Sequence, residues 1–358
     1  MQPQQLPLFP AKNIRPFNYP FPTTRYQGSK RKLVNWIWEH VRHLEFTTVL
    51  DVFGGTGVVS HLFKNAGKHV TYNDIMAFNC EIGRALIENR DVVLTPDEVD
   101  QLLTFRDDAP YPDFIQKHFS GIYFTDEENA WLDRVNYQIT HMLNNRYKQA
   151  IARFALFQAC IIKRPYNLFH RANLYMRTAD VDRSFGNKRT WDTPFETHFR
   201  QFVIEANAAV FDNGYANEVL QCDALATPTG YDLVYIDPPY LNKKGVGVDY
   251  RDFYHFLEGL MMYDEWEHHI DYGSKHRRLK PQKSLWNDAT TIMDAFTQLV
   301  QRHQNSILVI SYRDDGIPTR EALLNLLSRY KKHVYEVTHK KQYALAHKKS
   351  AELLLIAL

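Results

Sequence analysis

Apolar residues follow two spacings along the chain: short continuous runs, and one-sided stripes at three- and four-residue intervals. Short runs rich in Val, Ile, Leu and aromatic residues predict strands buried on both faces of a sheet. The stripes predict amphipathic helices, which alternate with the first two strands and again with the later ones. The predicted strands are 48–53, 69–73, 218–221, 233–236, 306–311, 333–337 and 352–358.

The alternation of strand and helix stops between residues 77 and 204, where helical patterns follow one another. Thr125 and Glu128 have the spacing of a capping box, and a helical stripe follows that ends at Leu143. This arrangement predicts an α/β protein with a mainly helical insert. The predicted parts are an extended Pro-containing arm, 1–24; a catalytic domain, 25–76 and 205–358; the insert, 77–204; and a basic loop within the catalytic domain, 264–288.

The last two predicted strands, 333–337 and 352–358, have no helical pattern between them. Strands that lack a crossover helix pair antiparallel, whereas strands joined by helices pair parallel. The sequence therefore predicts a mostly parallel sheet that closes with a C-terminal antiparallel hairpin.

Composition adds little that is specific to this picture. The 358 residues are 44% hydrophobic and 14% aromatic, which is ample for a buried core. No apolar run reaches the length of about 18 residues that a membrane helix needs, and Met1 to Pro10 lack a signal-peptide layout. Three scattered cysteines form no zinc or disulfide pattern, so we expect a cytoplasmic protein without a metal. A formal charge of +2 neither requires nor excludes a polyanionic partner.

The strand at 48–53 runs into Gly54, Gly55 and Gly57, and a helix is predicted to begin near Val58. A strand, a glycine-rich turn and a helix form the layout of a nucleotide-binding βαβ unit. Asp74 ends the next strand, about twenty residues after the glycines, where such folds place a carboxylate for ribose hydroxyls. A purely structural crossover is the alternative.

Asp237-Pro238-Pro239-Tyr240 follows the apolar strand 233–236. Two prolines cannot donate to a sheet, so the strand ends here and its last carbonyls are held rigidly. A carboxylate, fixed acceptors and an exposed aromatic ring suit a planar molecule with an exocyclic amino group.

Together these segments resemble the Dam-type (D12 class) DNA adenine-N6 methyltransferases. The resemblance covers about residue 24 to the C-terminus, and it includes Tyr26-Gln27-Gly28-Ser29-Lys30 ahead of the glycine-rich turn. It implies a Rossmann-like S-adenosylmethionine methyltransferase fold, S-adenosylmethionine as cofactor and double-stranded DNA as substrate. Because N6 is inaccessible within a duplex, it also implies that the target adenine is flipped out.

The resemblance assigns roles by position. Asp237, Pro238, Pro239 and Tyr240 would form the catalytic site, with Tyr240 stacked on the adenine. Asp74 would take the ribose hydroxyls, Asp223 the adenine amino group of the cofactor, and Lys30 with Tyr26 would lie near its amino-acid end. The full set of cofactor-binding residues implied is Tyr26, Lys30, Asp51, Phe53, Gly54, Gly55, Gly57, Asp74, Asp223 and Ala224.

Two stretches mix cations with aromatic or polar residues, 163–200 and 275–283. Such mixtures suit contact with phosphates and bases, although an ordinary solvated surface has the same composition. The predicted DNA-binding residues are Arg171, Arg189, Lys243, Lys244, Arg277, Arg278 and Lys280. A restriction endonuclease would be a partner in the same system without stable binding.

Other functions stay open from the sequence. RNA adenine-N6 or DNA cytosine-N4 methylation uses the same chemistry. A nicotinamide-dependent oxidoreductase shares the glycine turn and Asp74, but it leaves the tetrapeptide and the terminal hairpin unexplained. A DNA-binding module without catalysis leaves the intact tetrapeptide unexplained.

Overall fold

A twisted sheet of seven strands organises the structure, a computed structural model that describes residues 18–180, 188–243, 245, 247–340 and 351–358. The strands are β1 (Thr48–Asp51), β2 (His69–Asn73), β3 (Glu218–Leu220), β4 (Leu233–Ile236), β5 (Leu241–Asn242), β6 (Ile307–Arg313), β7 (Gly316–Ile317), β8 (Val334–Lys340) and β9 (Ala351–Ala357). The sheet order is β3-β2-β1-β4-β6-β9-β8, and β5 pairs with β7 separately.

The first five strands of the sheet are parallel, and the terminal hairpin pairs antiparallel. β1 lies between β2 and β4, with Leu50 opposite Thr71 on one side and Val234 on the other. β9 pairs antiparallel with both β6 and β8. The predicted mostly parallel sheet with a C-terminal antiparallel hairpin is therefore confirmed. Parallel alignment brings the carboxyl ends of β1, β2 and β4 to one edge, where their loops meet.

Helices cover both faces of the sheet. They are α1 (Val34–Val41), α2 (Val58–Asn65), α3 (Ala77–Gly83), α4 (Pro96–Leu103), α5 (Phe114–Phe119), α6 (Asp126–Met142), α7 (Arg146–Ile162), α8 (Tyr175–Thr178), α9 (Lys188–Asp192), α10 (Phe195–Ala209), α11 (Tyr250–Phe253), α12 (His255–Met261), α13 (Trp266–His269), α14 (Ile292–Arg302) and α15 (Arg320–Tyr330). The capping box predicted at Thr125 and Glu128 is present at the start of α6. None of the helices in the described ranges is long and apolar enough to cross a membrane.

The region between β2 and β3 contributes helices only, as far as it is described. These helices do not form a core of their own. Phe154 of α7 and Phe199 of α10 belong to the same buried cluster as Val70 of β2. The helical region thus extends one face of the sheet, and the proposed boundary at residue 77 is not marked by a break in packing.

Candidate active site

The glycine-rich turn after β1 is shaped by glycine in two ways. Gly55 (φ 51°) and Gly57 (φ 75°) have left-handed backbone conformations, which strain any residue that carries a Cβ. At Gly54 a Cβ would lie 2.0 Å from the ring of Tyr72. The turn is tied to β2 because the Gly54 amide donates to the carbonyl of Asn73 (2.7 Å). The result is a tight turn whose backbone lies open to the cavity beside it.

Asp74, at the end of β2, braces this turn. Its Oδ2 accepts the amide of Gly55 (2.9 Å) and a side-chain N–H of Asn79 (3.1 Å), and its Oδ1 accepts the amide of Met76 (2.9 Å). Burial raises the pKa of Asp74, and the backbone donors oppose that rise. These three donors occupy three of the roughly four acceptor sites of the carboxylate. Oδ1 can therefore still accept from one ligand hydroxyl while the residue holds the turn.

Asp51, the last residue of β1, has one unpaired buried oxygen. Its Oδ2 accepts the hydroxyl of Ser60 (2.6 Å), whereas Oδ1 is buried without a hydrogen-bond partner among the described residues. Burial, with the nearby charges of Asp237 and Asp74, raises the pKa of Asp51 to about 7. A buried carboxylate oxygen without a donor is costly, and it indicates a place for a positively charged or hydrogen-bonding ligand group.

Asp237, at the end of β4, lies in a buried network of charged and hydroxyl groups. Its Oδ1 accepts the hydroxyl of Tyr240 (2.5 Å) and lies 3.2 Å from the ammonium of Lys30. Lys30 also donates to the Tyr240 oxygen and to Glu352, and Glu352 accepts from Ser311 (3.1 Å). Burial raises the pKa of Asp237, and the charge of Lys30 opposes that rise.

This network refines two of the predictions. The ammonium of Lys30 has three N–H donors, and it contacts three groups: Asp237, Tyr240 and Glu352. Its charge therefore pairs with the carboxylate of the tetrapeptide. Its contact with the amino-acid end of a cofactor stays a prediction. The ring of Tyr240 was predicted to be exposed, but it is partly buried, and its hydroxyl donates to Asp237.

A cavity of about 370 Å³ joins these elements. The predicted residues in its wall are Tyr26, Lys30, Asp51, Phe53, Gly54, Gly55, Asp74, Asp223, Ala224, Asp237 and Pro239. The predicted residues Gly57, Pro238 and Tyr240 are not among those that line the cavity. Across the described ranges, no group of three His, Cys, Asp or Glu side chains is arranged to hold a metal ion.

One wall of the cavity is built from stacked tyrosines. Tyr26 stacks on Tyr254 (centroids 4.3 Å apart, planes 7° apart) and on Tyr250 (5.6 Å, 5°). A Cβ on Gly28 would lie 2.4 Å from the Tyr250 hydroxyl, so a glycine is needed where the chain passes this ring. Tyr250 was missed as a site residue by sequence reasoning, although it follows the tetrapeptide by only ten residues.

The segment 282–287 is a further wall that sequence reasoning missed. It lies within the predicted basic loop, yet it lines the cavity. Trp286 is buried and meets Phe53 edge to face (4.9 Å, 80°), which fixes the ring beside the glycine turn. The sequence signal that could have identified this wall was a single Trp, Trp286, in a mostly polar stretch. Ile75, 60% exposed at the cavity, was also missed.

The predicted DNA-binding cations differ in availability. Arg171, Arg189, Lys243 and Lys280 are exposed. Arg277 and Arg278 are partly buried: Arg277 donates to the carbonyl of Tyr272 (2.9 Å), and Arg278 pairs with Asp271 (3.2 Å). Lys244 lies outside the described residues.

Two cations of the stretch 163–200 are structural. Arg164 is 1% exposed and donates to the carbonyls of Tyr123 and Arg171, and Arg177 is 6% exposed and pairs with Glu128. Both side chains are buried in contacts within the protein, and neither is among the predicted DNA-binding residues.

The parallel sheet closed by an antiparallel hairpin, with a glycine-rich turn and an Asp-Pro-Pro-Tyr segment at neighbouring strand ends, defines a methyltransferase that acts on an exocyclic amino group. The chain belongs to the D12 class N6 adenine-specific DNA methyltransferase family, whose family model matches residues 26–314. Enzymes of this family use S-adenosylmethionine. The assignment decides against the RNA, cytosine-N4 and oxidoreductase alternatives, and the protein is a site-specific DNA adenine methyltransferase.

Similar proteins carry names of the same kind. The chain is 31% identical to Type II methyltransferase M2.HphI of Haemophilus parahaemolyticus, over 90% of this chain and 95% of that protein. It is 25% identical to Type II methyltransferase M.NlaIII of Neisseria lactamica, over 86% and 89% of the two chains. It is 24% identical to Type II methyltransferase M.FokI of Planomicrobium okeanokoites, over 91% of this chain and 50% of that protein.

Proposed function

We propose that Asp237, the carbonyl of Pro238 and Tyr240 hold the target adenine, with Asp237 as the group among them that lines the cavity. The observation that carries this proposal is that the two carboxylate oxygens of Asp237 differ in their hydrogen-bond partners. Oδ1 is engaged by Lys30 and Tyr240, while no group of the described residues donates to Oδ2. Asp237 lines the cavity, so an oxygen that lacks a donor among the described residues can accept an N6–H of adenine.

The chemistry follows from these acceptors. The lone pair of an aromatic amine is delocalised into the ring, so the nitrogen is a poor nucleophile. Asp237 Oδ2 and the Pro238 carbonyl would each accept one N6–H and favour a nitrogen whose lone pair points out of the ring plane. Catalysis then consists mainly of positioning and of stabilising the positive charge that develops on N6 next to Asp237. Asp237 Oδ2 is also placed to take the surplus proton after transfer.

The cavity fits S-adenosylmethionine by charge, and the cofactor supplies an electrophilic methyl group when bound. The cavity is lined by five Asp side chains, Asp51, Asp74, Asp223, Asp237 and Asp249, and by three cations, Lys30, Arg251 and Lys283, so acids exceed bases. One oxygen of Asp51 has no donor among the described residues. A ligand with a sulfonium and an ammonium group provides the missing counter-charge. We assign the ammonium to Asp51, the ribose hydroxyls to Asp74 and the adenine amino group to the exposed carboxylate of Asp223.

For DNA, we propose contacts from the exposed cations Arg171, Arg189 and Lys280. Removing one phosphate-binding cation should flatten the slope of log K against log salt by roughly 0.9. Replacing all three by Gln should therefore weaken binding and flatten the slope by about 3. The control is Arg106→Gln, which removes an exposed cation that pairs with Asp108. An unchanged slope in the triple variant would contradict the proposal.

The helical region 77–204 is the proposed target-recognition part, because it is the large insert between β2 and β3 and carries the exposed cations Arg171 and Arg189. The names of the relatives, type II methyltransferases, support a restriction-modification system. We expect an endonuclease of such a system to act without stable binding to this protein. A cytoplasmic location fits a DNA substrate.

The test of the function is methylation of DNA by the purified protein. The protein, methyl-labelled S-adenosylmethionine and duplex DNA of mixed sequence are incubated, the DNA is digested to nucleosides, and methylated positions are mapped by sequencing. We expect N6-methyladenine at one short sequence. Label in cytosine, or none in duplex DNA, would refute the proposal.

A further inference from the structure

Glu352 is a buried acid at the end of the chain that no motif pointed to. It lies near the start of β9 and is 5% exposed. Its Oε1 accepts from Lys30 and from the Ser311 hydroxyl (3.1 Å), and it lies 3.1 Å from the Tyr240 hydroxyl. The C-terminal hairpin therefore delivers a second carboxylate to the network around Asp237.

Lys30 pairs with both Glu352 and Asp237, the proposed catalytic carboxylate. Lys30 is 5% exposed and shares its charge between Glu352 and Asp237. A buried ammonium beside a single carboxylate would cancel its charge. With Glu352 present, the three groups carry a net charge of about −1 when all are ionised.

We propose that Glu352 is a positioning residue that compensates Lys30, so that Asp237 remains a strong acceptor for the target amine and stabilises the positive charge that develops on it. The inference rests on the proposed role of Asp237. Lys30 would hold Asp237 Oδ1 in place, and Glu352 would prevent it from neutralising the carboxylate.

The charges of Lys30 and Glu352 both act on the pKa of Asp237, so the inference can be tested by the pH dependence of the methylation rate. Burial has the largest effect on the pKa of Asp237 and raises it. The charge of Lys30 lowers this pKa, and the charge of Glu352 raises it. Removing the charge of Glu352 should therefore lower the pKa of Asp237. Three further titratable groups act on or near Asp237 and stay unchanged: Asp51 of β1, Tyr235 of β4 and Tyr250 of α11.

The experiment uses Glu352→Gln, which removes the charge but leaves an oxygen for Lys30 and Ser311. Single-turnover methylation of duplex DNA is measured from pH 5 to 9, together with cofactor affinity and melting temperature. We expect the plateau rate to fall roughly 10- to 100-fold, with cofactor affinity within about twofold of wild type. The acid limb of the rate profile should move to lower pH. Glu352→Asp, which restores the charge, should recover part of the rate.

The matched control is Glu336→Gln on the neighbouring strand β8, which removes a partly buried carboxylate that pairs with Arg320 (2.6 Å). It should leave the plateau rate and the acid limb unchanged. A Glu352→Gln rate within about twofold of wild type would overturn the inference. So would an unmoved acid limb combined with lower melting temperature and cofactor affinity, which would indicate a structural role only.

The inference and the proposed function can fail separately. Wild-type turnover in Asp237→Ala would refute the role of Asp237 and the inference with it. Loss of activity in Asp237→Ala combined with normal Glu352→Gln kinetics would refute the inference alone.

Discussion

The raised pKa of Asp51 should make the stability of the ligand-free protein depend on pH. The substitution Asp51→Asn can separate this contribution from the others. Asp51→Asn keeps an oxygen for the Ser60 hydroxyl and removes the charge. Any cost of placing an amide N–H at the unpaired position is the same at every pH. The pH-dependent part of the difference between wild type and variant therefore reports the ionisation of Asp51.

The magnitude follows from the raised pKa. The pKa of Asp51 rises from 3.8 in the unfolded chain to about 7 in the folded one, because the carboxylate is buried near Asp237 and Asp74. Between these values the folded state holds a proton that the unfolded state has lost, so stability falls as pH rises. The fall is complete above pH 7 and amounts to at most about 4 kcal/mol, at 1.36 kcal/mol per pKa unit. Asp51→Asn should lack this fall.

The assay is urea unfolding of both proteins at intervals from pH 4 to pH 8. The variant should gain stability relative to wild type as pH rises, by an amount of the order of the 4 kcal/mol derived above. A difference that stays constant over this range would refute the assigned ionisation.

Ligands then test the assignment of the ammonium group to Asp51. S-adenosylmethionine and S-adenosylhomocysteine both carry the amino-acid ammonium, whereas methylthioadenosine lacks it. The first two should reduce the pH-dependent difference because they supply a counter-charge, and methylthioadenosine should leave it unchanged. Equal effects of all three would place the ammonium elsewhere.

Three further substitutions test other parts of the site. Asp237→Ala should abolish methyl transfer while cofactor binding, measured by calorimetry, stays near that of wild type; turnover near wild type would contradict its catalytic role. Gly54→Ala should destabilise the protein by roughly 1–3 kcal/mol, measured by urea unfolding, because its Cβ would overlap the buried ring of Tyr72. Trp286→Ala should weaken cofactor binding by freeing Phe53, and unchanged affinity would show that this contact does not shape the cavity.

Much of the fold could be predicted because it depends on local rules. The apolar runs located all seven strands of the sheet, and the absence of a helical pattern before β9 predicted its antiparallel pairing. The glycine-rich turn was predictable for the same reason. Gly55 and Gly57 are required by their own backbone angles, which a strand-turn-helix sequence already implies.

The parts that were missed depend on contacts between distant residues. Arg164 looks like a DNA-binding cation in the sequence, yet it is buried against Tyr123 and bonded to carbonyls, which composition cannot reveal. Lys30 and Glu352 are 322 residues apart, and only the closing hairpin brings them together. A buried charge is stable only when a partner is present, so each such residue requires a second one whose position the pattern does not give. The proposed site is therefore set jointly by local motifs, which supply Asp237 and the glycine turn, and by the terminal hairpin, which supplies Glu352 as the second carboxylate paired with Lys30.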